Sequence, residues 1–424
     1  MNNYHAGKNH IRSYKILIDS GLWSCEANLV SCSRIYRYLI ENGHEITYDA
    51  SQADFIIINS CGVVKGVVDR CLHLFHAYTS LKKKEAIIIM FGCLVKIDRE
   101  PLAPLDLLLI GPDESNKLDE YFFTKFKFET IAPYCDDETK IILFHNQKPY
   151  SFVENTPFLI SKIFLPFSKN VRYNYLRYLK NITQTNRVFI EISRGCVGDC
   201  HYCTIKKAKG KLHSRKIVNI ISDIKMLNDP SKNIFLVADD CGCYGIDIGE
   251  NIFNLLNKIN KEFPNQHIDL NNLNPQWIEK QSKEYIRIFQ ELPIDFVKIP
   301  VQSGSNKIIK KMNRHYDIKK VLKTIDSIKN VAPNTFICSH CIIGYPGENN
   351  IDFLKTLFSL HHFDYAIPFQ YSKNIGTVSA TLLHQKSRWI RSLRYLLFLA
   401  YINFIILFKL FNHSTIEMKS KEAV

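Results

Sequence analysis

At 424 residues the chain has room for two or three domains, its 46% hydrophobic content is globular, and no segment repeats at a solenoid period, which excludes a repeat array. The net charge of +14 suits a polyanion such as RNA or an acidic membrane surface, and equally a soluble lysine-rich protein. Thirteen cysteines, behind an N-terminus (MNNYHAGKNHIRSYK) without an apolar signal region, argue for a reducing cytoplasm and metal ligation, not secreted disulfides.

From about 13 to 120 strand and helix patterns alternate. SYKILIDS (13–20) predicts a strand and residues 27–41 a helix. ITYDA (46–50) and ADFIIINS (53–60) predict strands, 63–84 a helix, and EAIIIMFG (85–92) and LDLLLIG (105–111) further buried strands. Apolar strands between helices indicate a parallel sheet covered on both faces, a doubly wound domain. Cys25 lies just past the first strand, and Cys61 and Cys93 end the third and fourth. Sites in such sheets form at the carboxyl ends of strands, so these three are candidates for one three-thiolate site. Each by itself also fits a small buried hydrophobe, the reading given to Cys32 and Cys71 inside helices. Residues 121–186 are rich in Phe, Tyr, Asn and Lys and fit a linker or insertion. Cys135 carries no assignment there.

The stretch from Arg187 to Arg215 opens as a strand, with Val188, Ile190 and Ile192 on one face. Cys196, Cys200 and Cys203 follow at C-x3-C-x2-C, and then Lys206, Lys207, Lys209, Lys211 and Arg215. Three thiolates in one short loop can serve three irons of a cubane, leaving the fourth iron open to a small molecule. Three free cysteines, or a zinc loop short of a ligand, are the alternatives; no second C-x2-C or His pair lies nearby to complete a zinc site. Six strand–helix units run from 187 to about 372, with strands near 187–193, 233–239, 267–272, 294–302, 335–344 and 364–372. That count predicts a partial TIM-like barrel with its site at the strands' C-terminal ends. Cys241, Cys243, Cys338 and Cys341 fit buried barrel positions, with a further metal site as the alternative. A helical tail follows over 386–424. In it Lys386, Arg388, Arg391 and Arg394 lead into the apolar run Tyr395–Phe408, too short for an ordinary membrane span of about 20 residues. A helix packed on the barrel is expected, with a weak membrane-surface contact as the alternative.

The cysteine loop resembles the radical S-adenosylmethionine (SAM) superfamily. ISRGC (192–196), Tyr202-Cys203 and KGKLHSR (209–215) are similar to its methylthiotransferase branch, as are Cys25-Glu-Ala-Asn28, Asn59-Ser60-Cys61, Gly92-Cys93, LLLIGPDE (107–114), PVQSGSNKIIKKMNRHY (300–316) and IIGYPGE (342–348). The resemblance covers about residues 13–380 and implies an α/β architecture. A methylthiotransferase N-terminal domain (13–120) and a linker or insertion (121–186) would precede a (β/α)6 radical SAM core (187–380). It implies two [4Fe-4S] clusters, one on Cys196, Cys200 and Cys203, the other on Cys25, Cys61 and Cys93. It places SAM beside Asp239 and Asp240, as partners of its ammonium, and beside Gln302 and Ser303. The implied reaction replaces an unactivated C–H hydrogen with a methylthio group, by way of a 5′-deoxyadenosyl radical. The electron donor is expected to be a flavodoxin or ferredoxin. The substrate is either a transfer-RNA adenosine, which TIKKAKGKLHS (204–214) favours, or a peptide or protein residue. The second is favoured by the lack of room for the small nucleic-acid-binding barrel that ends the transfer-RNA enzymes. A radical SAM enzyme of another reaction type, such as peptide natural-product maturation, and a non-catalytic iron–sulfur protein are the other classes. The chain departs from the branch at Lys209, where Arg is usual, at His340, where Asp is usual, and at Asn374-Ile375, where Arg-Pro is usual.

Overall fold

The computed structural model describes residues 13–20, 25–63, 65–122, 124–144, 181, 186–227 and 229–421. Most of the expected linker over 121–186 therefore lies outside the described residues. By its internal contacts the chain forms two units: residues 1–146 with 207–209, and 147–206 with 210–424.

The first unit carries strands β1 (Lys15–Asp19), β2 (Glu45–Ile46), β3 (Phe55–Ser60), β4 (Ile87–Gly92) and β5 (Leu108–Ile110). Helices α1 (Glu26–Glu41), α2 (Lys65–Leu81) and the single turn α3 (Leu94–Ile97) connect them. The sheet order is β2-β1-β3-β4-β5, with every pair parallel. Alternation along the strands sends Ile16, Ile57, Ile89 and Phe91 to a core with Ile35, Tyr38 and Leu39 of α1. Leu17, Ile56, Ile58, Ile88 and Met90 pack on the other face against Cys71 and Phe75 of α2. Both faces are thus covered, which is why the strands read as unbroken apolar runs. The predicted strand over 46–50 shrinks to Glu45–Ile46, because Asp49 turns the chain by accepting hydrogen bonds from the Ser51 backbone and hydroxyl.

In the second unit six parallel strands are hydrogen-bonded in consecutive order: β6 (Arg187–Glu191), β7 (Asn233–Val237), β8 (Ile268–Leu270), β9 (Ile294–Lys298), β10 (Phe336–Ile343) and β11 (Tyr365–Gln370). Between them run α4 (Ile217–Leu227), α5 (Ile252–Glu262), α6 (Pro275–Lys280), α7 (Ser282–Glu291), α8 (Asn306–Lys311), α9 (Ile318–Val331) and α10 (Asn350–Ser359). A row across neighbouring strands joins Phe189, Phe235, Asp269, Phe296 and Phe336 in register. The buried Arg187 side chain stacks over Phe235 and Phe296 and pairs with Asp269. This aromatic row, carrying a buried ion pair, fills the strand face that leads up to the site. β9 stops at Lys298, short of the predicted 302. Pro300 has no N–H for the ladder, and Gln302 takes a left-handed φ of 64°.

The tail forms one helix, α11 (Arg388–Lys421), which packs against β11 and α10. Phe398, Ile402, Ile405 and Ile406 are buried along its inner face. Arg394, also buried, pairs with the buried Glu348 and donates to Asn350 Oδ1 at 2.8 Å. Lys409 Nζ donates to the backbone oxygens of Phe363 (2.6 Å) and His361 (3.1 Å).

Candidate active site

The cysteine loop leaves the C-terminal end of β6 through a short antiparallel ladder of Ser193–Arg194 with His213–Ser214. Gly195 takes φ 75°, and a Cβ there would lie 2.2 Å from the Lys211 carbonyl oxygen, so only glycine admits the crossing of the loop's two ends. Gly198 lies under two of the thiols. Its backbone N–H donates to Cys196 Sγ at 3.2 Å, and a Cβ would meet Cys196 Sγ at 3.3 Å and Cys200 Sγ at 4.0 Å. Ile205 N–H faces Cys203 Sγ at 3.4 Å. Cys203 is exposed and the other two are half-buried.

The loop is fastened from outside its own sequence. His201 N–H donates to the Met312 carbonyl at 3.0 Å, and Asn313 Nδ2 donates to the Asp199 carbonyl at 2.8 Å. The buried Arg314 guanidinium binds Tyr202 OH (2.9 Å), Asn274 Oδ1 (2.8 Å) and the Pro300 carbonyl (3.1 Å). The SGSNKIIKKMNR segment therefore acts as a clamp on the cysteine loop. The sequence assigned no role to Tyr202, Asn313 or Arg314; their signal was membership of the Tyr202-Cys203 and 300–316 motifs.

The four expected SAM-pocket residues divide. Asp239 is half-exposed and accepts from Gly195 N–H at 2.8 Å, directly before Cys196. Asp240 is buried, and its carboxylate accepts from Trp277 Nε1 (2.9 Å), Gly242 N (3.0 Å) and Asn274 N (3.2 Å). Its oxygens are thus engaged in holding the loop after β7. Gln302 is buried, and its Oε1 has no partner among the described residues. The Ser303 hydroxyl lies 3.3 Å from Thr356 Oγ1 and accepts from Ser305 N at 3.2 Å. Cys243 is a contact that periodicity did not foresee: its Sγ, Cys196 Sγ and the Asp240 carboxylate all lie within 4.8 Å of one another. The hydrogen bond from Cys243 holds the Cys196 thiol below its ordinary pKa, against burial and the Asp240 charge. Cys241, Cys338 and Cys341 are buried.

In the first unit the three expected thiols sit at neighbouring strand ends. Cys25 is the residue before α1, Cys61 directly follows β3, and Cys93 directly follows β4. Since β1, β3 and β4 are adjacent and parallel, all three leave the same edge of the sheet. Burial pushes the Cys61 pKa up, and the charges of Cys25 and Cys93 push it further. Asn59 ties the row together: its Nδ2 donates to the Asn28 carbonyl (3.2 Å) in the first turn of α1 and faces Cys32 Sγ at 3.0 Å. Gly92, at φ 114°, lets β4 approach β3; a Cβ there would lie 2.5 Å from Ser60 O.

Two family models match the chain: the radical SAM superfamily over residues 190–360, and an uncharacterized protein family, UPF0004, over 19–108. A probable threonylcarbamoyladenosine tRNA methylthiotransferase of Methanocaldococcus jannaschii is 26% identical over 364 residues, 85% of this chain and 77% of the relative. A tRNA-2-methylthio-N(6)-dimethylallyladenosine synthase of Thermoanaerobacter pseudethanolicus is 27% identical, covering 90% of this chain and 75% of the relative. The chain carries a radical SAM domain behind a UPF0004 domain, and both of these relatives are named for methylthio chemistry on transfer RNA. A third relative, a ribosomal protein uS12 methylthiotransferase of Pseudothermotoga lettingae, is 27% identical over 88% of this chain and 79% of its own length.

The residues present fit the [4Fe-4S] cluster and SAM that the radical SAM superfamily implies. Cys196, Cys200 and Cys203 are soft donors grouped over Gly198, whose missing side chain leaves them room. The orphaned Gln302 Oε1 is a buried acceptor without a donor, as expected beside a polar ligand. In the N-terminal unit the buried Asn28 Nδ2 is likewise without a partner among the described residues, three positions after Cys25.

Proposed function

We propose that this radical SAM methylthiotransferase transfers a methylthio group to an unactivated C–H carbon of an adenosine in transfer RNA, with two [4Fe-4S] clusters and two molecules of SAM. The observation that carries the reading is the pairing of two three-thiol sets, one in the loop clamped by Arg314, the other on the adjacent ends of β1, β3 and β4. When bound, one cluster supplies the electron that cleaves SAM to a 5′-deoxyadenosyl radical, and the other supplies the place where sulfur is methylated and handed on.

The chain's own groups then have distinct tasks. Asp239 offers its half-exposed carboxylate to the ammonium of SAM, beside Cys196. Gln302 accepts a hydrogen bond at its orphaned Oε1. Asp240 holds the loop after β7 in place through Trp277 and Asn274. The exposed Lys206, Lys207 and Lys211 receive RNA phosphates next to the cysteine loop. Reduction comes from a flavodoxin or ferredoxin, and a reducing cytoplasm keeps the thirteen cysteines out of disulfides.

Anaerobic reconstitution tests this reading. The parent should hold about eight irons, and each triple Cys→Ala variant, at 196, 200 and 203 or at 25, 61 and 93, about four. The first variant should lose SAM cleavage. The second should still form 5′-deoxyadenosine and lose only methylthio transfer. A parent with about four irons would refute the second cluster and leave a radical SAM enzyme of another reaction type. A second substrate reading, a peptide or protein residue, is favoured by the likeness to the ribosomal-protein enzyme. Mass spectrometry of transfer RNA and of peptides, from cells with and without the protein, decides between them by the mass gained when SCH3 replaces hydrogen.

A further inference from the structure

α11 has its polarity inverted for a surface helix. Its inner face is anchored by Arg394 and Lys409 as well as by apolar packing. Its outer face carries Trp389 (72% exposed), Leu393, Leu396, Leu397, Phe404 (62%) and Phe408. Their spacings follow the helical period (389, 393, 396 and 397, then 404 and 408), so they form one stripe away from the packed side. The neighbouring helix repeats the pattern. α10 buries Phe353, Thr356 and Leu357 and turns Ile351 (63% exposed), Leu354 and Phe358 (64%) outward. Two contacting helices on the outside of the barrel thus both present large apolar side chains to solvent.

The charges around these faces are of one sign. From 365 to 416 the sequence has no Asp or Glu, and it has six Lys and Arg: Lys373, Lys386, Arg388, Arg391, Arg394 and Lys409. Arg388, Lys373 and, on α10, Lys355 are exposed. Of the carboxylates before this stretch, Asp364 pairs with Lys329, Glu348 with Arg394, and Asp352 with Lys307 and Ser305; Glu417 follows it near the end of α11.

We propose that the outer faces of α10 and α11 together dock on an anionic lipid bilayer, with α11 lying flat in the interface. Exposed apolar side chains enter the acyl boundary while the surrounding cations meet lipid phosphates. A second copy of the chain is disfavoured, since two such cationic faces would repel. Spanning is disfavoured too. The segment Arg388–Lys409 has a mean hydropathy of 1.6 and the length to cross a bilayer, but crossing would pull Arg394 off Glu348 and Lys409 off its two carbonyls. Because only 28% of that segment is buried, the helix can keep its inner face on the barrel and still offer the other to lipid.

The test is vesicle flotation of the cluster-loaded full chain. Phosphatidylcholine vesicles with about 30% phosphatidylglycerol should carry at least about ten times more protein than phosphatidylcholine alone, with the excess lost in high salt. Trp389 emission should shift to the blue on binding, and Trp389→Phe should remove that shift. A Trp389→Ser, Phe358→Ser, Phe404→Ser variant should bind at least about tenfold less, with iron content and SAM cleavage as in the parent. Those two readouts keep a failure of lipid binding separate from any failure of the catalytic reading. Parent protein that stays with the aqueous fraction, or binds both vesicles equally, overturns the proposal. So does self-association or capture of an acidic protein that the same three substitutions abolish without any lipid binding in the parent.

Discussion

Replacing Arg394 by Met tests whether the tail helix is held by its buried ion pair. Met keeps the apolar stem and volume but leaves the Glu348 carboxylate, which is fully buried, without its cation. Removing one partner of a buried pair costs about 3–5 kcal/mol, and the lost bond to Asn350 adds about 1 kcal/mol. The cost depends on pH. Burial pushes Glu348 up to about 7, although Arg394 pulls it down. An unfolded glutamate titrates near about 4.3. The folded state therefore holds the proton more tightly, and stability is fully present below about 4.3 and is lost as pH rises through about 7. Without Arg394 the folded value climbs further. The variant's deficit should then be small in acid and reach its full size above neutrality. Because the chain has two units, hydrogen exchange of the 388–409 amides is the better assay, as it reads undocking of α11 directly. Adding Glu348→Gln to the variant removes the stranded charge while Gly344 N–H keeps an acceptor, and should restore most of the loss. A loss under about 1 kcal/mol, or one that is independent of pH, would refute the anchoring role.

Three further outcomes are expected. Neutralising Lys206, Lys207 and Lys211 together to Gln should weaken transfer-RNA binding and flatten its dependence on salt, by up to about three phosphate contacts in the slope; an unchanged slope moves the substrate toward a peptide. Gly92→Ala forces a Cβ to within 2.5 Å of Ser60 O at a left-handed φ, so reconstituted iron should fall to about half while 5′-deoxyadenosine formation persists. Arg314→Lys keeps the charge but cannot hold Tyr202, Asn274 and Pro300 at once, and should cost about 2–3 kcal/mol by thermal unfolding and loosen iron on Cys196, Cys200 and Cys203.

Both sheets were legible because parallel strands covered on two faces have to be apolar throughout. The strands between 187 and 372 were each located to within a few residues. What periodicity overran were their ends, where chemistry other than hydrophobicity decides: Pro300 and the left-handed Gln302 end the ladder after β9. The helical tail expected over 386–424 forms as α11 over Arg388–Lys421, since no Gly or Pro occurs between 377 and 424 to stop it.

The site was legible to the degree that its residues are close in sequence or repeat one place in the fold. Cys196, Cys200 and Cys203 share a loop, while Cys61 and Cys93 directly follow two adjacent parallel strands and Cys25 opens the helix that follows the third, β1. Cys243 shares neither with Cys196. It reaches that thiol because the Asp240 carboxylate bends the chain after β7 around Trp277, and Gly242 leaves no Cβ to strike the indole. The spacing of Cys241 and Cys243 says nothing of a tryptophan 34 residues beyond Cys243. Asp239 and Asp240 were expected together beside the SAM ammonium, and the structure shows the Asp240 carboxylate accepting from Gly242, Asn274 and Trp277. Of the two adjacent carboxylates, the buried Asp240 accepts from three donors and holds the loop, and the half-exposed Asp239 accepts from Gly195 N–H beside Cys196. Position after a strand cannot tell such a pair apart. Burial can: Asp240 is enclosed and Asp239 is half-exposed.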